Sequence, residues 1–218
     1  MTSNRFTPTS FTYKMSSMKL FYVTEQKRIV GDKLQYLEKL LSGQPDGLII
    51  REKDLSEEDL IAFAAPLVPI AERYQVPLIL RGSPTVARKL GIRQLQLSYT
   101  EAMAAPLPSD FDAIGVSVHH LDEALAVQAH GASRITYGHI FTSPCKPGLP
   151  PRGLASLDEI VQASKIPVYA IGGITTETLP FLLPTKIEGA CLMSASMTDS
   201  SPETLTTRLR AILEQSNA

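Results

Sequence analysis

From Lys19 onward, two hydrophobic patterns alternate along the chain. Short runs of β-branched and apolar residues come first, and each is followed by a segment with helical spacing. This rhythm predicts parallel β/α units. The runs predict eight strands: Lys19–Thr24, Gly47–Arg51, Pro77–Arg81, Gln94–Ser98, Ala113–Val118, Arg134–Phe141, Pro167–Gly172 and Ala190–Ala195. Helices are predicted over Asp32–Leu41, Leu60–Tyr74, Leu121–His130, Leu157–Ala163 and Pro202–Gln215. In Asp32–Leu41, the residues Leu34, Leu37, Leu40 and Leu41 fall on one stripe. The Pro- and Ala-rich stretch Tyr99–Asp110 gives only a weak helix signal. Gly47, Pro77, Pro167 and Gly189 punctuate the entries to strands. No linker or shift in composition divides 19–215. Eight strands in about 200 residues predict a single (β/α)8 barrel. An open doubly wound sheet is the runner-up, but it usually carries a glycine-rich turn after its first strand. Here that turn reads Val23-Thr24-Glu25-Gln26.

Composition adds limits. The 218 residues are 44% hydrophobic, enough for a sizeable core, and 21 basic residues face 22 acidic ones. Such a balance offers no field for nucleic acid or a membrane surface. Two cysteines, Cys145 and Cys191, are too few for a disulfide scaffold, and a reducing, cytoplasmic setting is expected. No apolar run reaches the length of a membrane span. Residues 1–17 are rich in Ser and Thr and lack the apolar segment of a signal peptide. They read as a disordered extension, or as an early start with Met15 or Met18 as the true one, leaving 18–218 as the domain.

In a barrel, polar residues where strands end are the ones to read for chemistry. Gly172-Gly173 precedes Thr175, a residue suited to capping the next helix. Glycines let an anion approach backbone N–H groups, and a helix N-terminus adds partial positive charge. Ser194 and Ala195 offer similar groups after strand eight. Together these turns form the expected phosphate site, although two glycines equally suit a plain tight turn. His139 interrupts an apolar strand before the proline-rich loop Thr142–Gly153, which has the length and position of a lid. Histidine is the side chain that ordinarily titrates near neutrality, which makes His139 the candidate proton carrier. Arg51, and less directly Lys53, suit anion binding. Cys145 sits in a turn with no adjacent base, Cys191 reads as core, and His119 and His120 read as capping or structural. Zinc-type ligand spacings are absent.

Five segments together resemble the thiamine phosphate synthase/TenI superfamily: LIIREKD (48–54), IGVSVHHLDEA (114–124), YGHIFTSPCKPGLPPRG (137–153), PVYAIGGIT (167–175) and LMSASM (192–197). The likeness spans roughly 18–215 and implies one barrel. The superfamily has a synthase branch, which joins a pyrimidine diphosphate to thiazole phosphate with Mg²⁺. Its TenI branch aromatises a thiazole carboxylate phosphate. The synthase pattern departs at Ile49, at Arg81-Gly82 where an Asn-Asp pair carries the metal carboxylate, at Gln96-Leu97-Ser98, at Gly138-His139, and at Ser143-Pro144-Cys145-Lys146. Gly-His, Cys-Lys and Gln-Leu resemble TenI, although TenI commonly has Asn where Arg81 stands.

The TenI resemblance implies a thiazole tautomerase with His139 as acid–base group and phosphate on Gly172, Gly173, Ser194 and Ala195. Arg51 would offset the carboxylate or the anion formed from it, helped by Ser117 and Lys146. No metal or redox cofactor is then needed. Mg²⁺ belongs to the synthase alternative, which Glu101 and Lys53 keep open. A regulatory ligand-binding protein is the second alternative. The expected partner is a phosphorylated thiazole, with no nucleic acid and no membrane, and with self-association into a homo-oligomer allowed.

Overall fold

A computed structural model describes residues 18–143 and 145–215. The proposed extension at 1–17 lies outside them. Eight parallel strands close into a barrel in sequence order, β1 pairing with both β2 and β8. They are β1 (Lys19–Val23), β2 (Gly47–Ile50), β3 (Leu78–Arg81), β4 (Gln94–Ser98), β5 (Ala113–Val118), β6 (Arg134–Gly138), β7 (Val168–Ile171) and β8 (Gly189–Leu192). The helices around them are α1 (Lys33–Ser42), α2 (Glu57–Ala64), α3 (Leu67–Tyr74), α4 (Pro84–Lys89), α5 (Tyr99–Met103), α6 (Leu121–Ala129), α7 (Gly153–Ala163), α8 (Ser194–Met197) and α9 (Pro202–Gln215).

All eight predicted strands exist, and β4 and β5 match residue for residue. The sixth and eighth strands end earlier than the sequence pattern predicts, because apolar residues continue past the last ladder bond. The predicted helix Leu60–Tyr74 is two helices. Pro66, which has no N–H to donate, separates α2 from α3. Helix α4 had no clear hydrophobic stripe, but Ser83 caps it through Val86 N and Pro84 occupies its first turn. After β7 there is no α-helix for Thr175 to cap. A 3-10 helix, Leu179–Thr185, stands there, with proline near its start and again at Pro184. Leu34 departs from its predicted stripe: it is 40% exposed, while Leu37, Leu40 and Leu41 are fully buried.

Both faces of the sheet are covered, so the strands are buried on both sides. Outward residues such as Leu20, Leu48, Leu80, Leu95, Ile135 and Ala190 pack under the helices. Inward residues form a second cluster of Phe21, Val23, Ile49, Ile79, Tyr169 and Cys191, with Phe21 and Tyr169 stacked at 4.7 Å. Paired residues on neighbouring strands face the same side, so the register extends this assignment around the barrel. Ile79 pairs Gln94, Gln96 pairs Gly115, Gly115 pairs Arg134, Ser117 pairs Thr136, and Thr136 pairs Tyr169. The interior is therefore divided. Strands β1–β3, β7 and β8 fill it mainly with apolar side chains. Strands β4–β6 line it with Gln94, Gln96, Ser98, Ser117, Arg134, Thr136 and glycines.

Outside the barrel, the buried Tyr22 hydroxyl meets Thr206 Oγ1 on α9 at 2.9 Å. Tyr22→Phe removes one partner and leaves a buried hydroxyl unpaired. The expected cost is about 1–2 kcal/mol in a urea unfolding curve.

Candidate active site

The sequence-predicted site residues gather where the strands end. Arg51 follows β2. Its backbone N–H donates to Thr24 Oγ1, and its guanidinium lies 3.8 Å from Glu25 and 3.8 Å from Met193 Sδ at the end of β8. Arg81 ends β3 and pairs inward with Gln96. Its Nη1 lies 3.0 Å from Glu101 Oε1. The other Glu101 oxygen accepts from Ser98 N and Ser98 Oγ, both at 2.7 Å, closing a capping box on α5. Burial opposes ionisation of Glu101, but the Ser98 hydrogen bonds and the Arg81 charge outweigh it and hold the carboxyl below its usual range. Lys53 is pushed below the ordinary amine range, first by Arg51, then by burial, then by Arg81 and Lys146. Arg51, Arg81 and Lys146 thus all bear on Lys53, a concentration of positive charge at the ends of β2 and β3.

His139 stands just beyond the paired part of β6, where strand alternation no longer fixes its direction. It is 7% exposed, beneath the predicted lid. Its Nε2 is 3.3 Å from Leu149 O, and its own carbonyl accepts from Arg152 N at 2.9 Å. A carbonyl can only accept, so Nε2 is the donor in this contact, and in the tautomer with one ring proton Nδ1 is the nitrogen able to accept. The Gly138–His139 peptide bond is cis. Gly138 O accepts from His119 Nδ1 at 2.7 Å and from Arg152 Nε at 3.1 Å. His119 is therefore structural, as expected. His120 begins α6 without a side-chain cap.

Gly172 and Gly173 both have positive φ, +101° and +67°. Their necessity has a reason the sequence did not suggest. A Cβ on Gly172 would come within 2.3 Å of His139 Cβ, and one on Gly173 within 2.5 Å of Thr142 O. The chain leaving β6 lies directly across them. Thr175 organises the following turn instead of a helix, accepting from Glu177 N while its N–H donates to Thr178 Oγ1. Ser194 starts the short α8, and its Oγ is 3.1 Å from Cys145 Sγ.

Sequence reading missed the surroundings of Cys145. Arg28 Nη2 donates to Cys145 Sγ at 3.1 Å, and Arg28 also pairs with Glu25. Arg28 lies 117 residues away in the turn after β1, so no local spacing could have revealed it. Cys191 lies inside the barrel, where burial pushes its thiol up to about 12. A thiol-alkylating reagent applied to the folded protein should therefore label Cys145 and spare Cys191, as read by peptide mass spectrometry. Labelling of Cys191 at a comparable rate would contradict its placement in the interior.

Four carboxylates that follow β1, β2 and β4 are engaged. Glu25 meets Arg28 and Arg51, Glu52 accepts from Gln26 N, Asp54 meets Lys27, and Glu101 meets Ser98 and Arg81. Among the described residues, no three His, Cys, Asp or Glu side chains converge as a metal-binding group.

The sequence profile described as thiamine monophosphate synthase matches residues 20–196. The chain belongs to the thiamine monophosphate synthase family. A thiamine-phosphate synthase of Roseiflexus castenholzii is 29% identical over 206 residues, covering 92% of this chain and 90% of the relative. One from Clostridium novyi is 28% identical over 182 residues, covering 81% and 89%. Among solved structures, the thiamine phosphate pyrophosphorylase of Pyrococcus furiosus superposes with a TM-score of 0.78 at 25% identity, covering 93% of this chain and 98% of that one. The Roseiflexus and Clostridium relatives carry the synthase name, and family membership agrees with the resemblance read from the sequence. The closed barrel is the family's fold. No described helix is long and apolar enough to cross a membrane.

Proposed function

We propose that this member of the family acts on a phosphorylated thiazole carboxylate as a tautomerase. A proton leaves ring C2 and a proton arrives at the exocyclic carbon, giving the aromatic thiazole. Electrons and atoms balance within one molecule, so no co-substrate is required. The observation that carries this reading is the state of the mouth carboxylates. Each is tied to a cation or a backbone N–H, and an arginine ends β3. Such a mouth suits an anionic ligand held by protein cations better than a diphosphate held through a metal.

His139 Nδ1 takes the proton from C2 and returns one to the exocyclic carbon. The phosphate is assigned to backbone N–H groups at Gly172, Gly173 and Ala195 and to the Ser194 hydroxyl. The carboxylate, and the negative charge that spreads onto it after deprotonation, are assigned to Arg51, Lys53 and Lys146, with Ser117 donating from β5.

The synthase reading is favoured by the names of the relatives, and one experiment separates the two. Purified protein is incubated with the dihydrothiazole carboxylate phosphate, and separately with thiazole phosphate, the pyrimidine diphosphate and Mg²⁺. Aromatisation, followed by ultraviolet absorbance without added metal, is the expected result. Mg²⁺-dependent formation of thiamine phosphate with no aromatisation would replace the tautomerase reading with the synthase one. Tight binding of thiazole phosphate without either reaction would make the protein a ligand-binding regulator.

A further inference from the structure

The polar half of the barrel interior holds a buried cation that the proposed chemistry does not use. Arg134, at the start of β6, is 6% exposed, and no carboxylate pairs with it among the described residues. Its Nη1 donates to Gln94 Oε1 at 3.1 Å and its Nη2 to Leu95 O at 3.2 Å, while its Cζ lies 5.8 Å from the centre of the Phe21 ring. Burial draws its ionisation below the usual arginine range. A buried charge facing only neutral groups is costly, so its retention calls for a reason.

Two buried side-chain polar atoms among the described residues have no hydrogen-bond partner, Arg134 Nε and Gln96 Oε1. They belong to one place. A Cβ on Gly115 would come within 2.3 Å of Gln96 Oε1 and 2.7 Å of Arg134 Nε, so the two atoms border the same space over a bare glycine. Gln96 is itself 3% exposed. Its amide has two orientations related by a flip. One turns the oxygen toward the guanidinium, and the other turns the NH2 toward it. The cation selects the first. The NH2 then points up the barrel, where Nε2 lies 3.0 Å from Ser117 Oγ.

We propose that Arg134 and Gln96 are positioning residues for the Ser117 hydroxyl, which they hold as a hydrogen-bond donor to an anionic group of the substrate. The chemistry is directional. Gln96 N–H occupies an acceptor site on Ser117 Oγ, so the hydroxyl proton cannot point down at Gln96. Ser117 lies at the open end of the interior, paired with Ser98 and Thr136. Its proton is left to turn toward the mouth. A hydroxyl prepared in this way donates to a carboxylate, or to the oxygen on which charge grows after deprotonation. The substrate half of this inference rests on the tautomerase reading, whereas the orientation of Gln96 does not.

The decisive variant is Gln96→Glu. The introduced carboxylate pairs with Arg134, so the melting temperature should hold or rise. That carboxylate can no longer donate to Ser117 and accepts from it instead, turning the hydroxyl proton away from the mouth. Turnover should fall about tenfold or more, as in Ser117→Ala, and combining the two substitutions should bring little further loss. A purely structural pair predicts the raised melting temperature with turnover unchanged. That result, or losses that multiply in the double variant, would overturn the proposal. A second measurement needs no substrate: the side-chain NH2 resonances of Gln96 in the otherwise native protein. They should shift on Ser117→Ala and lose their single conformation on Arg134→Met. Resonances unmoved by both changes would equally overturn it. Should wild-type protein neither convert nor bind the thiazole carboxylate phosphate, the functional reading falls, and the resonance experiment still decides how Gln96 is held.

Discussion

Replacing His139 with alanine should lower turnover of the thiazole carboxylate phosphate by about 10²–10⁴-fold, the usual contribution of a positioned general acid–base group. Binding of the phosphorylated ligand should change by only a few-fold. The separation follows from what the imidazole touches. Its Nε2 reaches Leu149 O at 3.3 Å, but the lid is also held by backbone bonds that do not need the ring. Arg152 N donates to the His139 carbonyl, and Gly153 N donates to Ile140 O. The alanine variant therefore keeps those ties and loses Nδ1. Calorimetric titration with thiazole phosphate, alongside the absorbance assay, reads the two effects separately. Wild-type turnover in the variant would remove His139 from the mechanism. An equal collapse of binding and turnover would make it part of the ligand cradle.

The second large effect is expected from Gly172→Ala, which should destabilise the protein by about 2–6 kcal/mol. Two costs combine. A residue with a Cβ held at φ +101° is strained by roughly 1–3 kcal/mol. Its methyl group must also occupy a point 2.3 Å from His139 Cβ, and overpacking of this kind costs about 1–3 kcal/mol. The damage should extend beyond stability, because relief requires the chain leaving β6 to lift off the β7 turn, and His139 moves with it. Urea denaturation and the aromatisation assay should both report the change. A variant with wild-type stability would mean that the packing of residues 139–142 over the glycines is looser than described.

The barrel was legible from the sequence because its strands are buried on both faces. Runs such as Leu48-Ile49-Ile50 stand out whichever side each residue faces. Boundaries were less clear at Ile140-Phe141 and at Met193-Ser194-Ala195, where burial outlasts the ladder and only hydrogen bonding marks the end of a strand. Leu34 shows the opposite limit, since spacing placed it on the buried stripe of α1 but packing left it in water. At the mouth, the end-of-strand rule singles out Arg51, Ser117, His139 and Gly172-Gly173 as candidates. It did not find Arg28 beside Cys145 or Arg134 beneath Gln96. The first depends on a contact spanning more than a hundred residues. The second depends on register: Arg134 opens an apolar strand, and nothing local says that its side chain enters the barrel. Gly172 and Gly173 were singled out, yet their demonstrable constraint is the crossing chain, and any service to a phosphate is additional.

The uneven lining of the interior has a consequence for how this molecule can change over generations or at the bench. Stacked aromatic and aliphatic groups from β1–β3, β7 and β8 secure the architecture. The wall from β4 to β6 presents hydrogen-bonding groups, of which Gln94 serves the buried Arg134 charge while Ser117 and Thr136 stand nearer the mouth. A library confined to Ser117 and Thr136 would therefore explore new ligands while sparing the groups around Arg134, whereas the same mutational load on Phe21, Ile49, Ile79 and Tyr169 would yield mostly insoluble protein.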